Sequence, residues 1–419
     1  MRKSLNRGDL IHSNIEKPNK KTTFLLKSTI FIFPFATFIG PYLNVSGINL
    51  SNLFSLLLAL LVFKQFLKGR FNNTKVYILF FIFMIVYSLF TIIWSKYSAK
   101  GLSIFFPLVT GVIAMAFVAS LDNENLKYFI DSISIFTYLI LIVAMYETFF
   151  GNYVFFDNIN FIYVLNTYGF HYPGVAFANP NDLAQYLVCA VPIILVKQFD
   201  DKKIFLPIFI AFFVFFILLN TNSRFSIISF FIIMLSYFTF FLSKNKVLLK
   251  RVFFAGAFSL ILVNFLPILG FDLKQFGILK NFLLIDSSME YYTGRNILYA
   301  NAFNLGSENL LFGSGLGGSY TVTSVGTHNM FLFIFSDLGI LFAFGFGLLL
   351  VLLFLKLYSY RKLKLLDCHL SSLMLSFLVA FPIVSSMSSA NEQRKIIWLI
   401  LGLMLSVLSN YKEKTKQLI

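Results

Sequence analysis

Residues 204–221 read IFLPIFIAFFVFFILLNT and residues 225–243 read FSIISFFIIMLSYFTFFLS, with only Asn222-Ser223-Arg224 between them. Each run approaches the ~20 apolar residues that a helix needs to cross a hydrocarbon core. So short a connection allows only a reversal, and the pair reads as two helices crossing a bilayer in opposite directions. The same pattern recurs along the chain, at 23–39, 48–67, 76–94, 101–120, 127–148, 182–198, 252–269, 329–357, 369–388 and 395–410. The fold class is therefore an all-α polytopic membrane protein of about twelve transmembrane helices. The 329–357 run is longer than a span requires and holds Gly339, Gly345 and Gly347, which predicts a bend or a short entry helix before the crossing.

Composition agrees. Hydrophobic residues make up 58% of the 419 and charged residues 12%, with a mean hydropathy of +0.81. A soluble domain carries about twice that charge fraction to face water. The net charge of +16 is not a nucleic-acid signal, because the basic residues sit in short tracts between apolar runs and act there as orientation signals. Roughly 25 of the 34 Lys and Arg fall on the side shared with the N-terminal tail, in clusters such as Lys64/Lys68/Arg70/Lys75 and Arg361/Lys362/Lys364. Both ends are expected in the cytoplasm. Residues 1–22 then form a basic cytoplasmic tail, 23–410 the membrane domain and 411–419 a second cytoplasmic tail. The first apolar run lacks a small-x-small cleavage site and reads as a retained helix. Cys189 and Cys368 have no disulfide or metal spacing.

Two connections on the outer side are long, at about 149–181 and 270–328, whereas every cytoplasmic connection is short. Long connections in compact proteins are commonly functional. Both contain aromatics, glycines and helix-like stretches such as Asn296–Asn304, which predicts ordered loops on the outer face.

Ionisable groups at the edge of lipid are functional candidates by default. Arg224 lies in the short turn, Arg295 within Thr293-Gly294-Arg295-Asn296, and His328 within Gly326-Thr327-His328-Asn329 at the start of the tenth run. Each has a plainer reading, a snorkelling cation for the arginines and a polar helix-entry residue for the histidine. Together they suit one task. Two guanidiniums grip a diphosphate through paired hydrogen bonds, and a histidine at a helix N-terminus stays neutral and able to accept a proton. In Asn179-Pro180-Asn181-Asp182, Asn181 or Asp182 reads as the cap of the sixth helix, with Asn181 also suited to a sugar contact. No Asp-x-Asp pair or metal-ligand spacing appears on the outer face, and the loop Gly40–Gly47 has no carboxylate. An Arg/His mechanism without metal or cofactor is expected.

Four pieces, in this order, resemble the O-antigen ligase and polymerase superfamily. They are Gly174…Asn179-Pro180-Asn181-Asp182-Leu183-Ala184, then Asn222-Ser223-Arg224, then Gly294-Arg295 with Leu311-Phe312-Gly313-Ser314-Gly315-Leu316-Gly317, and His328-Asn329 leading to Asp337-Leu338-Gly339. The resemblance implies a membrane-embedded, GT-C-like glycosyltransferase that transfers a glycan from a polyprenyl diphosphate to an acceptor hydroxyl on the non-cytoplasmic face. Transfer would be inverting and metal-independent. Arg224 and Arg295 match the family's diphosphate-binding arginines, His328 its proposed catalytic histidine, and Asn329 and Asn181 are further substrate-binding candidates. The nine-residue gap from His328-Asn329 to Gly339 fits the oligosaccharide-transfer branch, but Phe342 stands where a small residue is usual. Arg295 with ten residues before Gly306 fits the polymerase branch. The sequence thus points first to a bacterial surface polysaccharide polymerase in the cytoplasmic (inner) membrane. It would act on a polyprenyl-diphosphate-linked oligosaccharide among membrane lipid, with a chain-length regulator protein as a partner. The alternatives are a ligase that moves finished polymer to a lipid core, cell-wall sugar or protein, and, from another class, a lipid-linked oligosaccharide flippase.

Overall fold

The computed structural model describes residues 20–39, 44–45, 48–152, 154, 173–177, 179–200, 205–221, 223–242, 293–323, 326–363, 368–387 and 394–418. The described chain is helical apart from a two-residue hairpin in which Asn44–Val45 pairs antiparallel with Ile48–Asn49. The α-helices of more than one turn are α1 (Lys20–Ile39), α2 (Leu50–Leu67), α3 (Lys75–Thr91), α4 (Ser98–Ala119), α5 (Asn123–Phe150), α6 (Pro180–Asp200) and α7 (Phe205–Asn220). They continue as α8 (Arg224–Leu242), α9 (Thr293–Glu308), α10 (Met330–Leu338), α11 (Ile340–Lys362), α12 (Cys368–Val384) and α13 (Lys395–Leu418). Helices suit an apolar solvent because each satisfies its own backbone. By length and composition α4, α5 and α11 are candidate membrane spans, and the remaining apolar helices are shorter. All the apolar runs named above coincide with helices except 252–269, which lies outside the described residues, as does most of the 149–181 connection.

The bend expected in the long run is present. Gly339 separates α10 from α11 with φ +88°. A Cβ there would lie 2.3 Å from the Leu311 carbonyl oxygen, so only glycine can make this junction.

Side-chain contacts fix the helix directions. In the α5–α6 pair, Lys197 meets Asp131 at 2.5 Å and Thr137 Oγ1 meets the Tyr186 hydroxyl at 2.6 Å, so the two run antiparallel. Tyr237 bonds His369 Nδ1 at 2.8 Å, which sets α8 antiparallel to α12. Lys356 Nζ donates to the Asn73 carbonyl at 3.1 Å while Tyr87 stacks on Phe342 at 4.4 Å, which sets α3 antiparallel to α11. In contrast, α13 and α4 run parallel. Gly111 admits the Trp398 indole, Gly402 lies against the Met115 carbonyl, and Ser406 Oγ donates to the Leu121 carbonyl at 2.9 Å. Small residues allow this close approach, the usual basis of helix association where lipid competes with any apolar side chain.

One end of the bundle is closed by a polar lock. Arg70 donates to Asn410 Oδ1 at 2.6 Å and to the Ser120 carbonyl at 3.2 Å, and Asn410 Nδ2 donates to the Leu121 carbonyl at 2.9 Å. The other end gathers the starts of α4, α6 and α8 and the ends of α3, α5 and α12. The candidate groups lie there.

Candidate functional site

Two buried carboxylates shape this end. Glu147, near the end of α5, is fully buried and accepts the backbone N–H groups of Val154 (3.2 Å), Gly174 (2.9 Å) and Val175 (2.7 Å). Two successive amides aimed at one oxygen form an anion nest, and the chain strains to make it, because β-branched Val175 sits at φ +50°, a region such residues rarely adopt. The short 3-10 turn Val175–Phe177 that leads into α6 is held in this way.

Asp337 plays the same part for the glycine-rich segment. It is fully buried and accepts from Gly317 N (2.8 Å), Ser319 N (2.9 Å) and Ser336 Oγ (3.2 Å). Gly313, Gly315 and Gly317 all have positive φ. A Cβ on any of them would come within 2.3–2.6 Å of the backbone of Asp337, Thr91 or Gly101. The motif residues Gly313–Gly317 and Asp337-Leu338-Gly339 are therefore a structural clamp that fastens α10 to the end of α3 and the start of α4.

His328 sits on the turn that this clamp positions. It is half-buried with φ +51°, a left-handed conformation that histidine adopts more readily than most residues. Sequence spacing places it at a helix N-terminus; the structure puts it one residue further out, because Asn329 is the cap. Asn329 Oδ1 accepts from Leu332 N at 3.0 Å and its Nδ2 donates to Ser386 Oγ at 2.8 Å. Met330 N donates to the Ser385 carbonyl at 3.0 Å. The histidine turn is thus bound to the end of α12.

Helix α9 carries Arg295 to the same place. The Tyr299 hydroxyl, one helical turn beyond Arg295, donates to the His328 carbonyl at 3.4 Å. Further along, Gly306 lies against the Phe335 ring and Phe303 packs on Phe335 at 5.7 Å. Residue numbers rise together, so α9 and α10 are parallel and both begin beside His328. The Arg295–Gly306 spacing now has a physical reason. Eleven residues make about three turns, so Arg295, Tyr299, Ala302 and Gly306 share one face, and the glycine lets that face lie against α10.

Arg224 begins α8. Thr221 and Ser223 before it are buried, with Ser223 Oγ and Ser226 Oγ 2.5 Å apart. From the Tyr237–His369 bond, the antiparallel register brings Arg224 level with about Pro382 of α12, close to Val384–Ser386. The side chains of Arg224 and Arg295 lie outside the described part of the structure, so their placement here is that of the backbone.

The α6 cap differs from the expectation. Asn179 is the cap, not Asn181 or Asp182. Its Oδ1 accepts from Asn181 N at 2.9 Å, and its carbonyl accepts from Asp182 N at 3.0 Å. Pro180, lacking an N–H, takes the first helical position that suits it. Asn181 is half-buried at the start of the helix. Asp182, released from capping, forms an ion pair with Arg394 Nη2 at 2.6 Å, its own side chain 3% exposed and the arginine 24%. One turn on, Gln185 donates to the Val384 carbonyl at 3.0 Å. Lys395, also buried, donates to the Pro107 carbonyl at 3.0 Å and to Thr110 Oγ1.

Sequence reasoning had singled out neither the Asp182–Arg394 pair, nor Gln185, nor Tyr299. The available signal was the polar stretch Ser385–Lys395, ending in Glu392-Gln393-Arg394-Lys395 just before the last apolar run.

Helices α6, α8, α9, α10 and α13 therefore all begin at this end. Helix N-termini present unpaired N–H groups and the positive end of the helix dipole, which favours anions. Among the described residues no group of three or more His, Cys, Asp or Glu gathers as metal ligands would.

Residues 209–347 match the family model described as O-antigen ligase. That stretch contains Arg224, Arg295, His328, Asn329 and the whole Asp337–glycine clamp. Over that stretch the chain is similar to O-antigen ligases, the likeness its motifs also carry. A search of curated proteins finds no match.

Proposed function

We propose that this chain is a membrane-embedded polysaccharide polymerase that transfers a glycan from a polyprenyl diphosphate to the hydroxyl of a lipid-linked repeat unit. The observation that carries the reading is the junction of α9 with the His328 turn. Tyr299 joins the arginine-bearing helix to the histidine carbonyl, inside the stretch that matches the O-antigen ligase family. In the proposed step the imidazole of His328 takes the acceptor hydroxyl proton. The hydroxyl oxygen attacks the anomeric carbon from the face opposite the leaving group, and the bond from that carbon to the diphosphate oxygen breaks. Arg224 and Arg295 stabilise the departing diphosphate, aided by the helix starts around them. Asn181 and Asn329 border the sugars.

The distribution of charge supports an outward-facing site in the bacterial cytoplasmic membrane. Among the described residues Lys64, Lys68, Arg70, Lys75, Lys127, Lys197, Arg361 and Lys362 lie on or beside the end away from the candidate site, the bias expected of a cytoplasmic face. A chain-length regulator is a natural partner of such a polymerase.

The description of the matched family favours a second reading on the same chemistry, a ligase that hands polymer to a different acceptor. Purified protein in vesicles, given only a lipid-linked repeat unit, separates them. A ladder of products identifies a polymerase; product only after a second acceptor is added identifies a ligase. His328→Ala is expected to lower transfer by about 10²–10⁴-fold, the usual worth of a positioned base, with an unchanged melting temperature in detergent. Transfer at the unaltered rate would remove the histidine from the mechanism. No transfer to either acceptor by the intact protein would remove the transferase reading itself.

A further inference from the structure

We infer that the turn Leu310-Leu311-Phe312, at the far end of α9 from Arg295, is seated in the hydrocarbon edge of the outer leaflet and anchors the arginine-bearing helix to the bilayer. The inference rests on the chain being a membrane protein and not on the transfer reaction. The turn falls within the connection that sequence alone places on the outer face.

Three consecutive large apolar side chains are open here, at 50%, 55% and 63% exposure. Three such residues side by side at a loop tip are costly in water. Their neighbours are the outward faces of two apolar helices. The Tyr87 hydroxyl of α3 donates to the Phe312 carbonyl at 2.9 Å, and Trp94 Nε1 donates to the Gly313 carbonyl at 3.4 Å. Ile340 N, at the start of the candidate span α11, donates to the Leu310 carbonyl at 2.8 Å. The exposed residues Phe90 and Ile93 on one side, and Leu341 and Phe344 on the other, continue the same apolar surface.

Depth follows from the partners. Tyr87 lies one helical turn inside the end of α3, so the tip reaches down alongside a lipid-facing helix instead of standing above it. The backbone agrees. A loop in water can leave its carbonyls to solvent, whereas one at the edge of lipid needs protein donors, and the Leu310, Phe312 and Gly313 carbonyls all have one. Trp94 beside the tip is the residue type that settles at a membrane interface. Pinned at this level, α9 keeps its other end, with Arg295, at the boundary where the phosphates of a lipid carrier lie.

The test is spin-label accessibility in phosphatidylcholine–phosphatidylglycerol vesicles, using full-length protein with Cys189 and Cys368 replaced by alanine. Labels go on Leu311→Cys, on Phe344→Cys as a lipid-facing reference and on Ser307→Cys, an exposed polar position of α9, as a water-facing reference. The label at 311 is expected to collide with molecular oxygen more than with a water-soluble nickel chelate, as at 344. A preference for the chelate, as at 307, would overturn the inference, and so would protection from both reagents, which would mean that protein covers the tip. Leu310→Cys and Phe312→Cys repeat the measurement if Leu311→Cys fails to fold. No glycan enters the assay, so a negative result leaves the transferase reading standing, and failed transfer leaves this inference standing.

Discussion

Glu147 and Asp337 are both fully buried carboxylates that collect backbone amides, yet they hold their regions in different ways. Glu147 gathers Val154, Gly174 and Val175, tying the connection before α6 to the helix it leaves. Asp337 gathers Gly317 and Ser319 within a segment that also donates to Thr91 Oγ1 and accepts from Trp94 and Tyr87. Around Asp337 the glycines leave no space for a Cβ; around Glu147, Gly174 has open space. The first carboxylate fastens a strand of chain at two points. The second builds a solid mount, and that mount carries the His328 turn.

If this contrast is right, damage should scale with how many elements meet at the altered residue. The largest effect is expected from Gly339→Ala, which forces a Cβ onto the Leu311 carbonyl at a positive φ. A loss above about 4 kcal/mol, the range reserved for such core faults, should appear as failure to recover folded protein. Asp337→Asn should follow, at about 3 kcal/mol, because an amide presents a donor to one of the two backbone N–H groups and leaves it unpaired in the interior. Its thermal midpoint in detergent should fall, and glycan transfer with it. Glu147→Gln is expected to cost less, about 1–2 kcal/mol, and to retain most transfer. An equal loss from Glu147→Gln and Asp337→Asn would break the contrast. The smallest change in stability is expected from Gly306→Ala, about 1 kcal/mol, as the cost of displacing the Phe335 ring is partly offset by better helix propensity. It sharpens the contrast, since lifting α9 off α10 should lower transfer out of proportion to the lost stability. Activity and thermal midpoint measured on the same preparation give the ratio.

Much of the fold was legible because lipid imposes a simple code. A run of apolar residues long enough to cross becomes a helix, and the excess length of 329–357 with Gly339 inside it announced the break between α10 and α11. The helix-like stretch Asn296–Asn304 likewise proved to be the middle of α9. The candidate site was legible where its parts are close in sequence, as in Thr327-His328-Asn329. The Asp182–Arg394 pair was not, because its members lie on different helices far apart in the chain and each has an ordinary local explanation. Asp182 read as a cap, and Arg394 as one more orientation charge. The Asn179-Pro180 start misled for a local reason, as three amide or acid side chains compete for one cap and only the proline's missing N–H decides among them.

The parallel course of α4 and α13 has a practical consequence. Lys27, near the start of α1, pairs with Glu124 at the start of α5 at 2.9 Å, on the same end as the Arg70–Asn410 lock. The start of the first described helix and the end of the last thus lie at the same end of the bundle. On the proposed orientation, complementary fragments of a reporter attached to the two extremities are expected to reassemble on one side of the membrane, and failure to reassemble would overturn that orientation.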